Sequence, residues 1–221
     1  MGTIRVMSIN LLVGRADHRA LERVIEDVDP DVLACQELVP EHATIITRLL
    51  PYGHLDPTRN YHGLGIATRF PSQVERFPLA HRDGWRATLS ADRWPSLDRD
   101  LEVINVHIQS PVDSHPVRAR RNRKSQTTAI IDHVRENRRP RVLVGDMNAT
   151  PAWRTYRRIA ATMQDGPVAT GTAARTWGPW WWAPRLLRID HAFVDGALPL
   201  RSWIERIRGT DHAALVIEID V

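Results

Sequence analysis

Residues 141–151 run Arg141-Val142-Leu143-Val144-Gly145-Asp146-Met147-Asn148-Ala149-Thr150-Pro151. Arg141 to Gly145 reads as a compact apolar strand. Asp146 and Asn148 follow at its end, where a layered fold exposes side chains while the strand holds them rigidly. The same layout recurs on both sides of this segment. Upstream, Val103-Ile104-Asn105-Val106 leads into His107, the strand at 3–9 ends on Asn10, and Asp31-Val32-Leu33-Ala34-Cys35 runs on to Glu37. Downstream, Asp190 and the pair Asp211-His212 stand at the edges of the last strand-like runs. One terminal Asp or Asn is usually a turn former or a helix cap. Six polar clusters in the same position require a shared reason.

The rest of the chain supplies the frame. Leu21, Val24, Ile25 and Val28 fall at helical spacing between the first two strands, which makes a β-helix-β opening. A second helix through Ile45, Ile46, Leu49 and Leu50 stops at Pro51, which has no N–H to continue it. From 63 to 107, runs at 65–68, 73–77, 85–89 and 101–107 are separated by Pro, Gly and Asp, as in successive antiparallel strands. Residues 117–137 are Arg-rich but carry Ile130, Ile131 and Val134 on one face, the pattern of a surface helix. A helix at 152–161 and strands at 187–194, 200–207 and 214–219 complete the expectation. No internal repeat, linker or low-complexity tract interrupts it, so one α+β domain over 1–221 is expected.

Composition narrows the class without naming the chemistry. Hydrophobic residues make up 43% and charged residues 25% of the 221, which argues against disorder and fibrous repeats. Thirty Lys plus Arg against 26 Asp plus Glu leave a net charge of +4, and Lys124 is the sole lysine. Guanidinium suits phosphate better than a point charge does, although a modest net charge is no nucleic-acid footprint. Cys35, the one cysteine, lies in an apolar run and reads as a buried thiol. No apolar stretch is long enough to span a bilayer, and the start of the chain lacks a signal-peptide layout. Met1-Gly2 is followed by Val6 where a myristoylation motif wants Ser or Thr. The expectation is a cytoplasmic monomer.

Glu37, Asp146, Asn10, Asn148 and Asp211 offer the oxygen donors that a hard divalent cation prefers. His107 and His212 offer proton chemistry, which hydrolysis of a phosphate ester needs to activate water and stabilise charge on phosphorus. At this point the chain resembles the endonuclease/exonuclease/phosphatase, or DNase I-like, superfamily. The matching segments are Ser8-Ile9-Asn10-Leu11-Leu12, Gln36-Glu37, Asn105-Val106-His107, Gly145 to Pro151, Arg188-Ile189-Asp190-His191 and Thr210-Asp211-His212, in the family's order. Each is weak alone; the ordered set is specific.

The resemblance implies a four-layered α/β sandwich, two mixed sheets face to face with helices outside, and in-line attack of water on phosphorus. It implies Mg2+ or Mn2+ held chiefly by Glu37, assisted by Asn10 and Asp211. Asp146 and Asn148 would position water and phosphate, His107 would bind the scissile phosphate, and His212, paired with Asp190, would be the acid/base. Two departures stand out. Thr210 replaces the family's usual Ser, and the mid-chain phosphate-binding Tyr has only Tyr61 or His62 as candidates.

The substrate stays open between a phosphodiester or nucleic acid and a small or lipid-linked phosphomonoester, with an inactive phosphate-binding member as a third alternative. Trp177-Gly178-Pro179-Trp180-Trp181-Trp182 precedes the Asp190 strand, so Trp177 and Trp180 are expected near the site. There they would stack on bases, contact lipid peripherally or pack against one another. Arg118, Arg120, Arg121, Arg123 and Lys124 would track a nucleic-acid backbone or form a solvated helix face. Arg118 and Gln126 are alternatively braces of the site. Among the other histidines, His18, His42, His54, His81 and His133 read as surface residues. His115 is within reach of the site, and His191 points to the opposite strand face from Asp190.

Overall fold

A computed structural model describes residues 2–112, 115–136 and 139–221. Met1 and the last residue of the helix expected at 117–137 lie outside them. Two six-stranded mixed sheets lie face to face. The first has the order β11 (Leu198–Arg206), β12 (Ala213–Asp220), β1 (Thr3–Asn10), β2 (Val32–Gln36), β4 (Leu64–Thr68), β3 (Tyr52–Asp56). The second has the order β5 (Gln73–Phe77), β6 (Gly84–Leu89), β7 (Leu101–His107), β8 (Arg141–Asp146), β10 (Asp190–Asp195), β9 (Gln164–Asp165). Each sheet has one parallel pair at its centre, β1 with β2 and β7 with β8, and antiparallel pairs around it. Helix α1 (His18–Val28) joins the first parallel pair and α3 (Pro116–Glu136) the second. The chain thus runs through one topology twice, a repeat that leaves no trace in residue identity.

Period-two alternation sorts the strands into layers. Ile4, Val6, Val32, Ala34, Val103, Val142, Val144, Ala192 and Val194 fill the space between the sheets. Their neighbours face outward. Met7, Ile9, Leu33 and Cys35 meet Leu21, Ile25 and Val28 of α1 and Ile46 of α2 (Pro40–Leu49). Ile104, Val106, Leu143 and Phe193 meet Ile130 and Val134 of α3 and Tyr156 and Ile159 of α4 (Arg154–Ala160). The result is helix, sheet, sheet, helix, the four-layered sandwich expected. Asp17 caps α1 by accepting from the Ala20 N–H at 2.9 Å, and Asp29 ends it in the left-handed region. Gly145 is held at φ 133°, where a Cβ would lie 1.9 Å from the Val106 carbonyl oxygen, so only glycine lets β8 sit against β7 here.

Several local expectations need correction. The strand expected from Leu187 starts at Asp190, because the Thr176 hydroxyl accepts from the Ile189 and Asp190 N–H groups and Leu187 makes only an isolated bridge to Trp177. Strand β3 is exposed, polar and without alternation, so nothing in its sequence distinguishes it from a loop. Among the expected surface histidines, His42 is fully buried, its Nε2 2.8 Å from the Ala16 carbonyl oxygen. His133 is half-buried against Glu102, Nε2 to Oε2 2.9 Å. Cys35 is a buried free thiol. Among the described residues no helix is long and apolar enough to cross a membrane.

Candidate active site

The parallel pairs end at the same rim of the sandwich, and their antiparallel neighbours β10 and β12 begin there. Alternation does the rest. Asn10 is two residues beyond Ser8, His107 two beyond Asn105, Asp146 two beyond Val144, and Asp190 two before Ala192. All therefore lie on the inner faces, where the apolar filling gives way to polar side chains. Just beneath, Gln36 Nε2 donates to Asn105 Oδ1 at 2.7 Å and to Ser8 Oγ at 3.2 Å. Asn105 Nδ2 in turn donates to the carbonyls of Cys35 (3.0 Å) and Gly65 (2.8 Å). This buried clamp joins the two sheets and forms the floor of the site.

Above it a cleft of about 720 Å³ opens, lined among others by Glu37, Arg82, His107, Asp146, Asn148, Asp211 and His212. Asn10 Nδ2 bridges Glu37 Oε1 and Asp146 Oδ2, 3.1 Å from each, while its Oδ1 accepts from the Leu12 N–H at 3.0 Å. Asn10 thus meets the carboxylates through its NH2 rather than through oxygen. Glu37 sits at φ 53° and Asn148 at φ 48°. The first is a costly conformation for a glutamate. The Asn148 N–H donates to Asp146 Oδ1 at 2.8 Å, and its side chain donates to the Ile108 carbonyl at 3.0 Å.

Two histidines face this group with different charges. His212 Nδ1 donates to Asp190 Oδ2 at 2.8 Å, and its Nε2 stands 3.9 Å from both Asp146 Oδ2 and Asp211 Oδ1. Burial opposes charge on this ring, but Asp190, with Asp146 and Asp211 behind it, outweighs burial and carries the pKa up to about 10. His107 is the reverse case. Burial, then the charges of Arg82 and His212, holds it well below the ordinary histidine value. An Arg82 N–H donates to His107 Nδ1, so the neutral ring carries its proton on Nε2, 3.6 Å from Asp146 Oδ2 and 3.9 Å from Glu37 Oε1. Burial and then the Asp190 carboxylate push Asp146 up to about 7. Burial also raises Glu37, against the pull of Asn10 and His212.

The loop from Thr176 to Ile189 closes one side. Trp177 lines the cleft and donates from Nε1 to Asp211 Oδ2 at 3.0 Å. Among the described residues, Asp211 Oδ1 and Asp190 Oδ1 are buried oxygens without a hydrogen-bond partner, which suits acceptors or ligands of a bound group. Asp146, Asp190 and His212 present potential metal-binding atoms within 4.8 Å of one another. Thr210 Oγ1 donates to the Asn10 carbonyl at 2.8 Å and accepts from the His212 N–H at 3.1 Å, fastening the last loop to β1. The Thr that departs from the usual Ser therefore makes full use of its hydroxyl.

Of the residues expected at the site, Trp180 stays outside the cleft lining. It is 58% exposed and stacked on Trp182 with ring centroids 5.5 Å apart. His191 points away, its Nε2 2.7 Å from the Ala149 carbonyl oxygen, and burial lowers its pKa to about 4. Gln126 Oε1 accepts from the Gln109 N–H at 3.0 Å and braces the loop after β7, while Arg118 and Tyr61 line the cleft. His115 is exposed at the start of α3, 3.3 Å from Arg118, and does not line the cleft. Arg82 and His81, both in the turn before β6, also line it. Sequence reasoning passed over Arg82 because a charged residue in a turn carries no periodic signal.

The family profile described as Endonuclease/Exonuclease/phosphatase family matches residues 7–212. No curated protein sequence matches the chain. Among solved structures, an endonuclease/exonuclease/phosphatase from Beutenbergia cavernae superposes with a TM-score of 0.79 at 19% identity, covering 100% of this chain and 72% of that one. Humanized D. rerio TDP2 gives 0.75 at 18% identity, covering 99% of each chain. The mannosyl-6-phosphatase Bt3783 of Bacteroides thetaiotaomicron gives 0.77 at 15% identity, covering 98% of this chain and 99% of that one. At such identities the likeness is one of fold.

Proposed function

Because the chain belongs to the endonuclease/exonuclease/phosphatase family, we propose that it is a divalent-metal-dependent phosphoester hydrolase acting first on phosphodiesters. One observation carries the reading: a charged His212–Asp190 pair faces a group of three carboxylates and a neutral histidine across one cleft. A hard cation such as Mg2+ or Mn2+ suits the carboxylate oxygens of Glu37 and Asp211, and Asp211 Oδ1 has no hydrogen bond among the described residues. Glu37 and Asp211 would hold it, and Asn10 would orient Glu37. Asp190 is engaged with His212, and a protonated His212 is no ligand, so the tight group of Asp146, Asp190 and His212 serves proton transfer instead. When bound, such an ion supplies polarisation of the phosphoryl oxygens.

The remaining steps belong to side chains. Asp146, with a pKa near 7, takes a proton from the attacking water, and the Asn148 N–H fixes the orientation of its carboxylate. His107 Nε2–H and Arg82 face the phosphoryl oxygens. His212 Nε2–H donates to the leaving oxygen and recovers the proton that Asp146 took from water, the two groups being 3.9 Å apart, while Asp190 holds the ring in place. Trp177, by bonding Asp211, ties the tryptophan loop to the same site. Phosphomonoester hydrolysis is a second reading, favoured by Arg82, His107 and His212 lining the same cleft, a set of donors that suits the charge of a terminal phosphate.

The test is hydrolysis of bis(p-nitrophenyl) phosphate, p-nitrophenyl phosphate, single-stranded DNA and plasmid DNA with Mg2+ or Mn2+. We expect diester cleavage above monoester cleavage, loss of activity with EDTA, and a fall in kcat of about 10²–10⁴-fold in His212→Ala. Full activity in that variant, or no hydrolysis of any of these esters, overturns the reading.

A further inference from the structure

Beside the cleft, and sharing Pro111 and Trp153 with it, lies a second groove of about 690 Å³ between α3 and α4. Arg120, Arg123 and Lys124 line it from α3, and Arg154 and Arg158 from α4, with no Asp or Glu in the lining. None of the five forms an ion pair among the described residues, whereas Arg5 pairs with Glu218 and Arg69 with Asp31. Arg123 is only 8% exposed. It donates to the Gln109 carbonyl and, at 3.3 Å, to Thr155 Oγ1, and it lies 5.5 Å from the Trp153 ring centroid. Trp153 itself is 42% exposed at the boundary of the two cavities.

We infer that this groove holds the phosphates of a nucleic-acid strand whose scissile bond lies in the cleft. The inference rests on the phosphoesterase reading and names its substrate class. Five cations exceed what one phosphate needs, so the spacing decides. Arg120 with Lys124, and Arg154 with Arg158, are each four residues apart on a helix, about 6 Å along the axis. That is the scale of the step between successive phosphates of a single strand. The two rows flank an open trough that leads over Trp153 into the cleft, an arrangement of charge and aromatic face that suits a single strand.

The experiment measures binding of a fluorescent single-stranded oligonucleotide in EDTA, by anisotropy across a salt series, to the wild-type chain and to Arg120→Gln/Lys124→Gln/Arg154→Gln. The three residues are exposed, and circular dichroism checks that the variant folds. Loss of three phosphate contacts should weaken binding at least 10-fold and flatten the log K against log salt slope by about 2. With metal restored, KM for the oligonucleotide should rise while kcat/KM for bis(p-nitrophenyl) phosphate stays unchanged. An unchanged oligonucleotide Kd and slope overturns the inference. So does a variant that loses only pyrophosphate binding, or only binding to phosphatidylglycerol vesicles. Binding in EDTA needs no catalysis, so a wild-type chain that binds the strand through the groove but hydrolyses nothing would refute the phosphoesterase reading and leave the groove assigned.

Discussion

Asp190 accepts one side-chain hydrogen bond among the described residues, from His212 at 2.8 Å, yet it governs two protons. Its charge is the largest influence raising His212 toward 10, and after burial it is the main influence raising Asp146 toward 7. Asp190→Asn should therefore move both limbs of the pH–rate profile to lower pH. The alkaline limb falls because His212 gives up its proton sooner, and the acidic limb falls because Asp146 ionises sooner. A profile that drops in height without moving would contradict these assignments. The same residues show what a sequence can disclose. Asn10, His107, Asp146 and Asp190 each end or begin an apolar run on its inner phase, so strand periodicity alone groups them. Arg82 and Trp153 stand in turns and reach their cavities through tertiary structure. His42 reads as a surface residue because its partner, the Ala16 carbonyl, belongs to a loop 26 positions away.

At the scale of elements, the Gln36–Asn105 clamp is the join on which the site rests. Asn105→Leu leaves the Cys35 and Gly65 carbonyls and the Gln36 amide without their buried partner, at a cost of about 1–3 kcal/mol per orphaned group. Thermal unfolding should show a lowered Tm, and a Tm equal to wild type would mean that the sheets are joined by apolar packing alone. The elements that carry this core, β1, β2, β7, β8, α1 and α3, are legible because both faces of each strand and one face of each helix are apolar. Those at the margin are not. Strand β3 is recruited by the free edge of β4, and the segment before Asp190 is held by the Thr176 hydroxyl rather than by a ladder. No local propensity announces either.

Taken whole, the molecule concentrates buried carboxylates at one rim, and that arrangement couples metal binding to protons. A cation needs the carboxylates ionised, and Asp146 holds its proton up to about pH 7. Mg2+ or Mn2+ held by Glu37 and Asp211 beside Asp146, which Asn10 ties to Glu37, should therefore raise Tm more at pH 8 than at pH 6, as followed by calorimetry; an equal shift at both would mean that the proton on Asp146 does not oppose the ion. The register of β1 against β12 carries a different consequence. Thr3 pairs with Asp220, so the first and last strands are neighbours, and the doubled strand order continues across them: β11 and β12 stand to β1 as β5 and β6 stand to β7. The fold is in effect a ring opened at one point. A circular permutant that links residue 221 to residue 2 by a short glycine-serine bridge and opens at Pro71–Ser72 should regain the native fold, with each half of the ring contiguous in the chain.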